Sequence, residues 1–174
     1  MKEDNYNFQW KDLGDVEIGR PNLGNATNVS VYRLMQYTMR SVLNKEFGRL
    51  KADELFYKAG FVAGEEFCKA LLVSELEFYD FVAQLQKILK DLNIGILRVE
   101  KSDLEKMSFV ITVAEDLDCS GLPITGETVC DYDEGFLAGI FKQYVGREFD
   151  VKEVDCWSSG DRVCRFTINL KNGQ

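Results

Sequence analysis

Glu148-Phe-Asp-Val-Lys-Glu-Val-Asp-Cys-Trp157 and Arg162-Val-Cys-Arg-Phe-Thr-Ile-Asn-Leu170 are separated by Ser158-Ser-Gly-Asp161. The two runs read as strands of one hairpin, because Ser, Gly and Asp supply the turn between them. Upstream, Ile94 to Glu100 and Met107 to Glu115 follow a period of two and read as a second strand pair, turning around Ser102 to Glu105. Residues 116 to 128 form a loop with Gly121, Pro123 and Gly126. A helix from about Tyr132 to Val145, ended by Gly146, lies between the two strand pairs.

The N-terminal half is helical by pattern. Residues 1 to 28 form an irregular lead-in broken by Gly14, Gly19, Pro21 and Gly24. Ser30 to Phe47 repeats apolar residues at three, four and seven, which predicts an amphipathic helix. Lys51 to Leu72 predicts a second helix. Ser74 with Glu77 fits a capping box for a third, which runs to about Leu92. The stripe of Phe78, Phe81, Val82, Leu85, Ile88 and Leu89 on that third helix reads first as core. Helices first, strands after and one helix inserted favour an α+β fold: N-terminal helices on an antiparallel sheet, with a C-terminal hairpin. No linker or repeat divides residues 1–174, so one ligand-binding domain is expected.

Gly60 and Gly64 share a helix face, and so do Gly135 and Gly139. A glycine inside a helix costs about 1 kcal/mol relative to Ala. Close approach of another backbone, or of a ligand, would offset that.

The chain carries a formal charge of −8 with no basic cluster, which argues against nucleic acid and anionic membranes as partners. No apolar run reaches the length of a bilayer span. The polar, acidic start from Met1 to Trp10 is unlike a signal peptide, so the expected location is cytoplasmic. The 12 Phe and 7 Tyr can fill a core or wrap an apolar ligand. There is no His, which removes Ser-His and Cys-His catalysis and His-based zinc or haem ligation.

Cys119, Cys130, Cys156 and Cys164 crowd the C-terminal part, and Cys68 stands apart. Cys156 and Cys164 flank the hairpin turn. Cys130 begins a helix, whose dipole favours a thiolate. Glu153 lies three residues before Cys156. Three thiolates with Glu153, or four with Cys119, would close a tetrahedral zinc shell. Four Cys can also hold an iron–sulfur cluster. The plain alternative is free thiols packed as small hydrophobes.

Cys130-Asp-Tyr-Asp-Glu-Gly-Phe-Leu-Ala-Gly-Ile140, Val151-Lys-Glu-Val-Asp-Cys156 and Gly160-Asp-Arg-Val-Cys164-Arg-Phe166 resemble the 4-vinyl reductase domain family. Archaeal members of that family are described as hydrocarbon-binding proteins. Gly19-Arg-Pro-Asn-Leu-Gly24, Val31-Tyr-Arg33 and the Ala59-Gly60 to Gly64 stretch extend the likeness. Related sensory domains of aromatic-responsive regulators hold zinc with three Cys and one Glu. Their intervals of 23 and 8 residues match Cys130 to Glu153 and Cys156 to Cys164. The resemblance implies structural zinc on Cys130, Glu153, Cys156 and Cys164, with Cys119 as the alternative fourth ligand. Those sensors bind the phenol hydroxyl through a His, which this chain lacks.

The resemblance also implies an apolar, aromatic or hydrocarbon-like ligand in a pocket built by Phe78, Phe81, Phe109, Phe136, Phe141 and Trp157. The function it implies is a zinc-containing binding or sensor domain without catalysis. Such a domain would pass its signal to a homodimer mate or a downstream partner protein. Two other readings follow from the family. One is a reductase or accessory factor in tetrapyrrole vinyl reduction, for which no Gly-rich dinucleotide fingerprint is present. The other is a purely structural assembly subunit.

Overall fold

A computed structural model describes residues 6–171. After a 3-10 turn at Trp10–Leu13 and a single helical turn α1 (Val16–Gly19) come α2 (Val29–Phe47), α3 (Arg49–Leu71) and α4 (Phe78–Asp91). The strands are β1 (Ile96–Asp103), β2 (Ser108–Ala114), β3 (Phe149–Asp155) and β4 (Cys164–Leu170), with α5 (Asp131–Val145) between β2 and β3. All pairings are antiparallel, in the order β1-β2-β4-β3. The α+β arrangement read from the sequence is the one found.

The sheet buries one face. Leu97, Phe109, Ile111, Val113, Cys164, Phe166, Ile168, Phe149 and Val151 are all buried. They align through the register, with Ile111 opposite Phe166, Phe109 opposite Ile168 and Val151 opposite Ile168. Alternation puts Thr167, Arg165 and Glu100 on the other face, where Arg165 pairs with Glu100 at 2.8 Å. Helices α4 and α5 lie against the sheet, α3 lies on α5, and α2 reaches chiefly α3.

The four helix glycines explain how close α3 and α5 come. A Cβ on Gly60 would overlap the carbonyl of Tyr132, and one on Gly135 the carbonyl of Tyr57. Gly64 and Gly139 repeat the relation one turn on, against Phe136 and Phe61. Of the two uses anticipated for these glycines, backbone approach is the one observed.

Two local expectations change. The Ser74–Glu77 capping box does not form. The helix starts at Phe78 with no side-chain cap, and Ser74 Oγ lies 3.9 Å from Cys68 Sγ. The apolar stripe of α2 does not face inward either. Leu34, Met35, Val42 and Phe47 are exposed, and the buried side of that helix is polar, led by Gln36. Hydrogen bonds rather than apolar burial hold α2 in place.

Candidate functional site

Four cysteine sulfurs meet at the junction of the sheet, α5 and the loop after β2. One sulfur each from Cys119, Cys130, Cys156 and Cys164 lies within 4.8 Å of the others, and all four residues are buried. The hairpin supplies Cys156 at the end of β3 and Cys164 at the start of β4. Cys130 is the N-cap of α5. Cys119 is placed by an Asp116 side chain whose Oδ1 accepts from the backbone N–H groups of Asp118 (2.8 Å) and Cys119 (3.1 Å).

Distances favour one ion among these sulfurs. A tetrahedron with metal–sulfur bonds of about 2.3 Å has edges of about 3.8 Å. Cys130 Sγ stands 3.8 Å from both Cys156 Sγ and Cys164 Sγ, and Cys119 Sγ stands 3.0 Å from Cys164 Sγ. The thiol protons cannot all be accommodated here. Hydrogen bonds from Cys119, Cys130 and Cys164 hold Cys156 well below the usual thiol range, while those from Cys119, Cys156 and Cys164 push Cys130 up. Four buried sulfurs with one already favouring the thiolate can bind a metal ion.

Glu153 sits beside this group. Its Oε2 accepts from the Cys130 backbone N–H at 3.1 Å, its Oε1 has no partner among the described residues, and burial pushes its carboxyl up to about 8. The Glu153 backbone N–H in turn donates to Glu134 Oε1 at 2.8 Å, and Glu134 pairs with Lys152 at 2.8 Å. Strand β3 and the start of α5 are therefore cross-linked in both directions around the cysteines.

A cavity of about 260 Å³ opens next to them. Its apolar walls include Phe8, Trp10, Leu117, Phe67 and Phe136, and its polar end is Asp118, Asp133, Tyr32 and Tyr132. Trp10 meets Phe67 edge-to-face at 6.1 Å, and its backbone N–H donates to Glu66 at 3.0 Å. The lead-in thus forms part of one wall.

Of the pocket residues anticipated from sequence, Phe136 lines this cavity. Phe78, Phe109 and Phe141 stack on one another in the core, with Phe78 and Phe109 centroids 4.7 Å apart. Phe81 stacks on Tyr144 at 3.9 Å. Trp157 lines a separate surface depression with Arg33 and Arg162. Cys130, Cys156 and Cys164 come together as anticipated, and Cys119 joins them.

Several participants were missed in the sequence. Tyr32 and Gln36 of α2 donate to the two oxygens of Asp118 at 2.7 and 2.6 Å. Tyr37 reaches the Asp118 carbonyl at 3.0 Å. Their signal was faint: polar residues at positions 32, 36 and 37 on the inward side of an otherwise apolar helix. Phe8, Trp10 and Leu13 carried none, since no periodicity ties a lead-in to a particular wall.

Residues 109–170 match the model of the 4-vinyl reductase domain. Over 165 residues the chain is 24% identical to a protein of Methanocaldococcus jannaschii, covering 93% of this chain and 88% of that one. In fold it is similar to the phenol-responsive sensory domain of the transcription activator PoxR, with a TM-score of 0.65, 14% identity and coverage of 83% and 75%. It is also similar to a vinyl-4-reductase family protein from Methanocaldococcus jannaschii, with a TM-score of 0.58, 19% identity and coverage of 86% and 85%. The strands, loop and helix that carry the four cysteines lie within residues 109–170, and the chain belongs to the 4-vinyl reductase domain family.

Proposed function

We propose that the chain is one binding domain that holds structural zinc and senses or carries a small, largely apolar molecule without transforming it. The carrying observation is the placement of the aromatic-walled cavity directly against the four-sulfur group. Asp118 precedes Cys119 and lines the cavity, and Asp133 lies on α5 one turn after Cys130. A ligand that presses on this end acts on the same loop and helix start that the metal pins.

Zinc fits the donor set because four thiolates close its tetrahedral shell and leave no position for substrate or water. In this reading Cys119, Cys130, Cys156 and Cys164 are the ligands, and Glu153 holds the Cys130 backbone. An iron–sulfur cluster would place iron and sulfide between its ligands. The sulfurs here are close enough for a single ion. The PoxR domain, whose structure contains phenol, supports a small-molecule role for the shared fold. With no His, this chain would recognise its ligand by other groups.

Val31, Met35, Met39 and Val42 recur on one side of α2 and are 53 to 61% exposed, which supports a homodimer formed through that helix. A cytoplasmic location, with output through the dimer mate or a downstream protein, completes the reading. Native mass spectrometry of the purified chain tests it. One zinc per chain and a retained or exchangeable small molecule are expected. A metal-free, fully folded protein that retains no ligand and binds none would overturn it.

A further inference from the structure

The cavity is not chemically uniform. Three carboxylates gather at or behind its polar end: Asp118 and Asp133 line it, and Asp116 lies beneath with one ligand atom within 4.8 Å of those of Asp133 and Cys130. Two of the three are engaged. Asp118 accepts from Tyr32 and Gln36, and Asp116 Oδ1 accepts two backbone N–H groups.

Asp133 differs. Its Oδ2 is shielded from solvent and has no hydrogen-bond partner among the described residues. Among those residues, no Lys or Arg lines the cavity. The Arg33 guanidinium is turned to the carbonyls of Leu117 (2.7 Å) and Asp116 (3.3 Å) rather than to a carboxylate. Four thiolates around a dication would add further net negative charge next door.

A buried carboxylate without a partner costs more than a paired one gains, so a ligand that completes it is selected over one that does not. We propose that the cavity takes a primary ammonium group carried on an apolar body about the size of one aromatic ring, with the ammonium donating to Asp133. This rests on the reading that the cavity is the ligand site, and it names the class of ligand. The ammonium would form a charge-assisted hydrogen bond at the acidic end and lie near the Tyr132 and Phe136 rings, whose faces attract cations. Phe67, Leu117 and Trp10 would cover the apolar body. A carboxylate of the same shape meets like charge, and a neutral molecule leaves Asp133 unpaired. At about 260 Å³ the space is just under the roughly 300–1,000 Å³ of common ligand pockets, which suits a single ring with a short arm.

Four probes of one shape test this on the full-length, metal-loaded protein: 2-phenylethylamine, 2-phenylethanol, propylbenzene and phenylacetate. Calorimetry gives affinities, and the methyl and ring NMR signals of Leu117, Phe67 and Phe136 locate each probe. The amine should bind at least about tenfold tighter than the alcohol, with phenylacetate the weakest. Asp133→Asn should bring the amine down to the alcohol while metal content stays the same. If the alcohol, propylbenzene or phenylacetate binds in the cavity as tightly as the amine, the ammonium assignment is overturned and the cavity reading survives. If none of the four perturbs those signals, the cavity reading fails and the assignment with it. Should Asp133→Asn not fold, the wild-type ranking alone decides.

Discussion

Gly64 of α3 lies so close to Phe136 of α5 that a Cβ would overlap the Phe136 carbonyl oxygen, and the Phe136 ring is itself a wall of the cavity. Helix approach and pocket shape are thus one property. Gly64→Ala must push the helices apart, because the atom it meets is backbone. Overpacking of this kind costs roughly 2–3 kcal/mol, and Tm should fall by about 4–12 °C. A thermal melt unchanged within a degree would show that the helices do not approach this closely in solution.

Replacing sulfurs separates the two possible fourth ligands. Cys119→Ala, Cys156→Ser and Cys164→Ser are each expected to release the metal and lower stability. Glu153→Gln should keep it, because an amide oxygen can still accept from the Cys130 backbone. Cys68 is buried apart from the cluster near Ser74, so Cys68→Ser should cost about 1 kcal/mol and leave metal content intact. Elemental analysis and the thiolate charge-transfer bands of the cobalt-substituted protein report the outcome. Metal lost from Glu153→Gln but kept by Cys119→Ala would reverse the assignment.

The buried acids predict how metal-free protein responds to pH. Burial, then Asp118, pushes Asp116 up to about 7, and burial, then Cys156, pushes Glu153 up to about 8. Each group binds its proton more tightly folded than unfolded, so its contribution favours the fold at low pH. That contribution fades between about pH 4 and 8, by up to about 1.4 kcal/mol per pH unit for each group. Urea midpoints of the wild type relative to Glu153→Gln should therefore fall from pH 5 to pH 7.5. A relative stability that rises across this interval would be incompatible with a carboxyl buried as observed.

Trp10 tests whether the lead-in belongs to the pocket. Its ring meets Phe67 and its backbone is held by Glu66. Trp10→Ala removes part of one wall without touching the cysteines. Affinity for 2-phenylethylamine should drop about tenfold or more while metal content is unaffected. Equal affinity in the variant would place the ligand elsewhere.

Charge on the outer face of α2 tests the dimer. Met35→Glu with Met39→Glu adds two carboxylates to the apolar row while leaving the Asp118 contacts alone. Sedimentation should then give a monomer with an unchanged circular dichroism spectrum. A mass identical to wild type would exclude this face as the interface.

Much of this protein is legible locally. Strand alternation, the Ser158 to Asp161 turn and the helical spacing of α3 to α5 are short-range signals, and together they specify an α+β chain with a closing hairpin. The hairpin itself brings Cys156 toward Cys164, and the paired glycines announce a close approach. What no local pattern could rank was Cys119 against Glu153. Strand alternation turns Glu153 inward beside Cys130, and a loop held by Asp116 carries Cys119 to the other sulfurs. Equally, the rings of Phe78, Phe109 and Phe141 have the composition of a pocket wall, yet they stack on one another. Phe8, Trp10, Tyr32 and Asp133, which are distant in sequence, enclose the actual space. Amphipathic period tells which side of a helix is apolar, but not which neighbour covers it. Polar contacts to one loop turn α2 so that its apolar side points outward, and only the assembled chain could decide that.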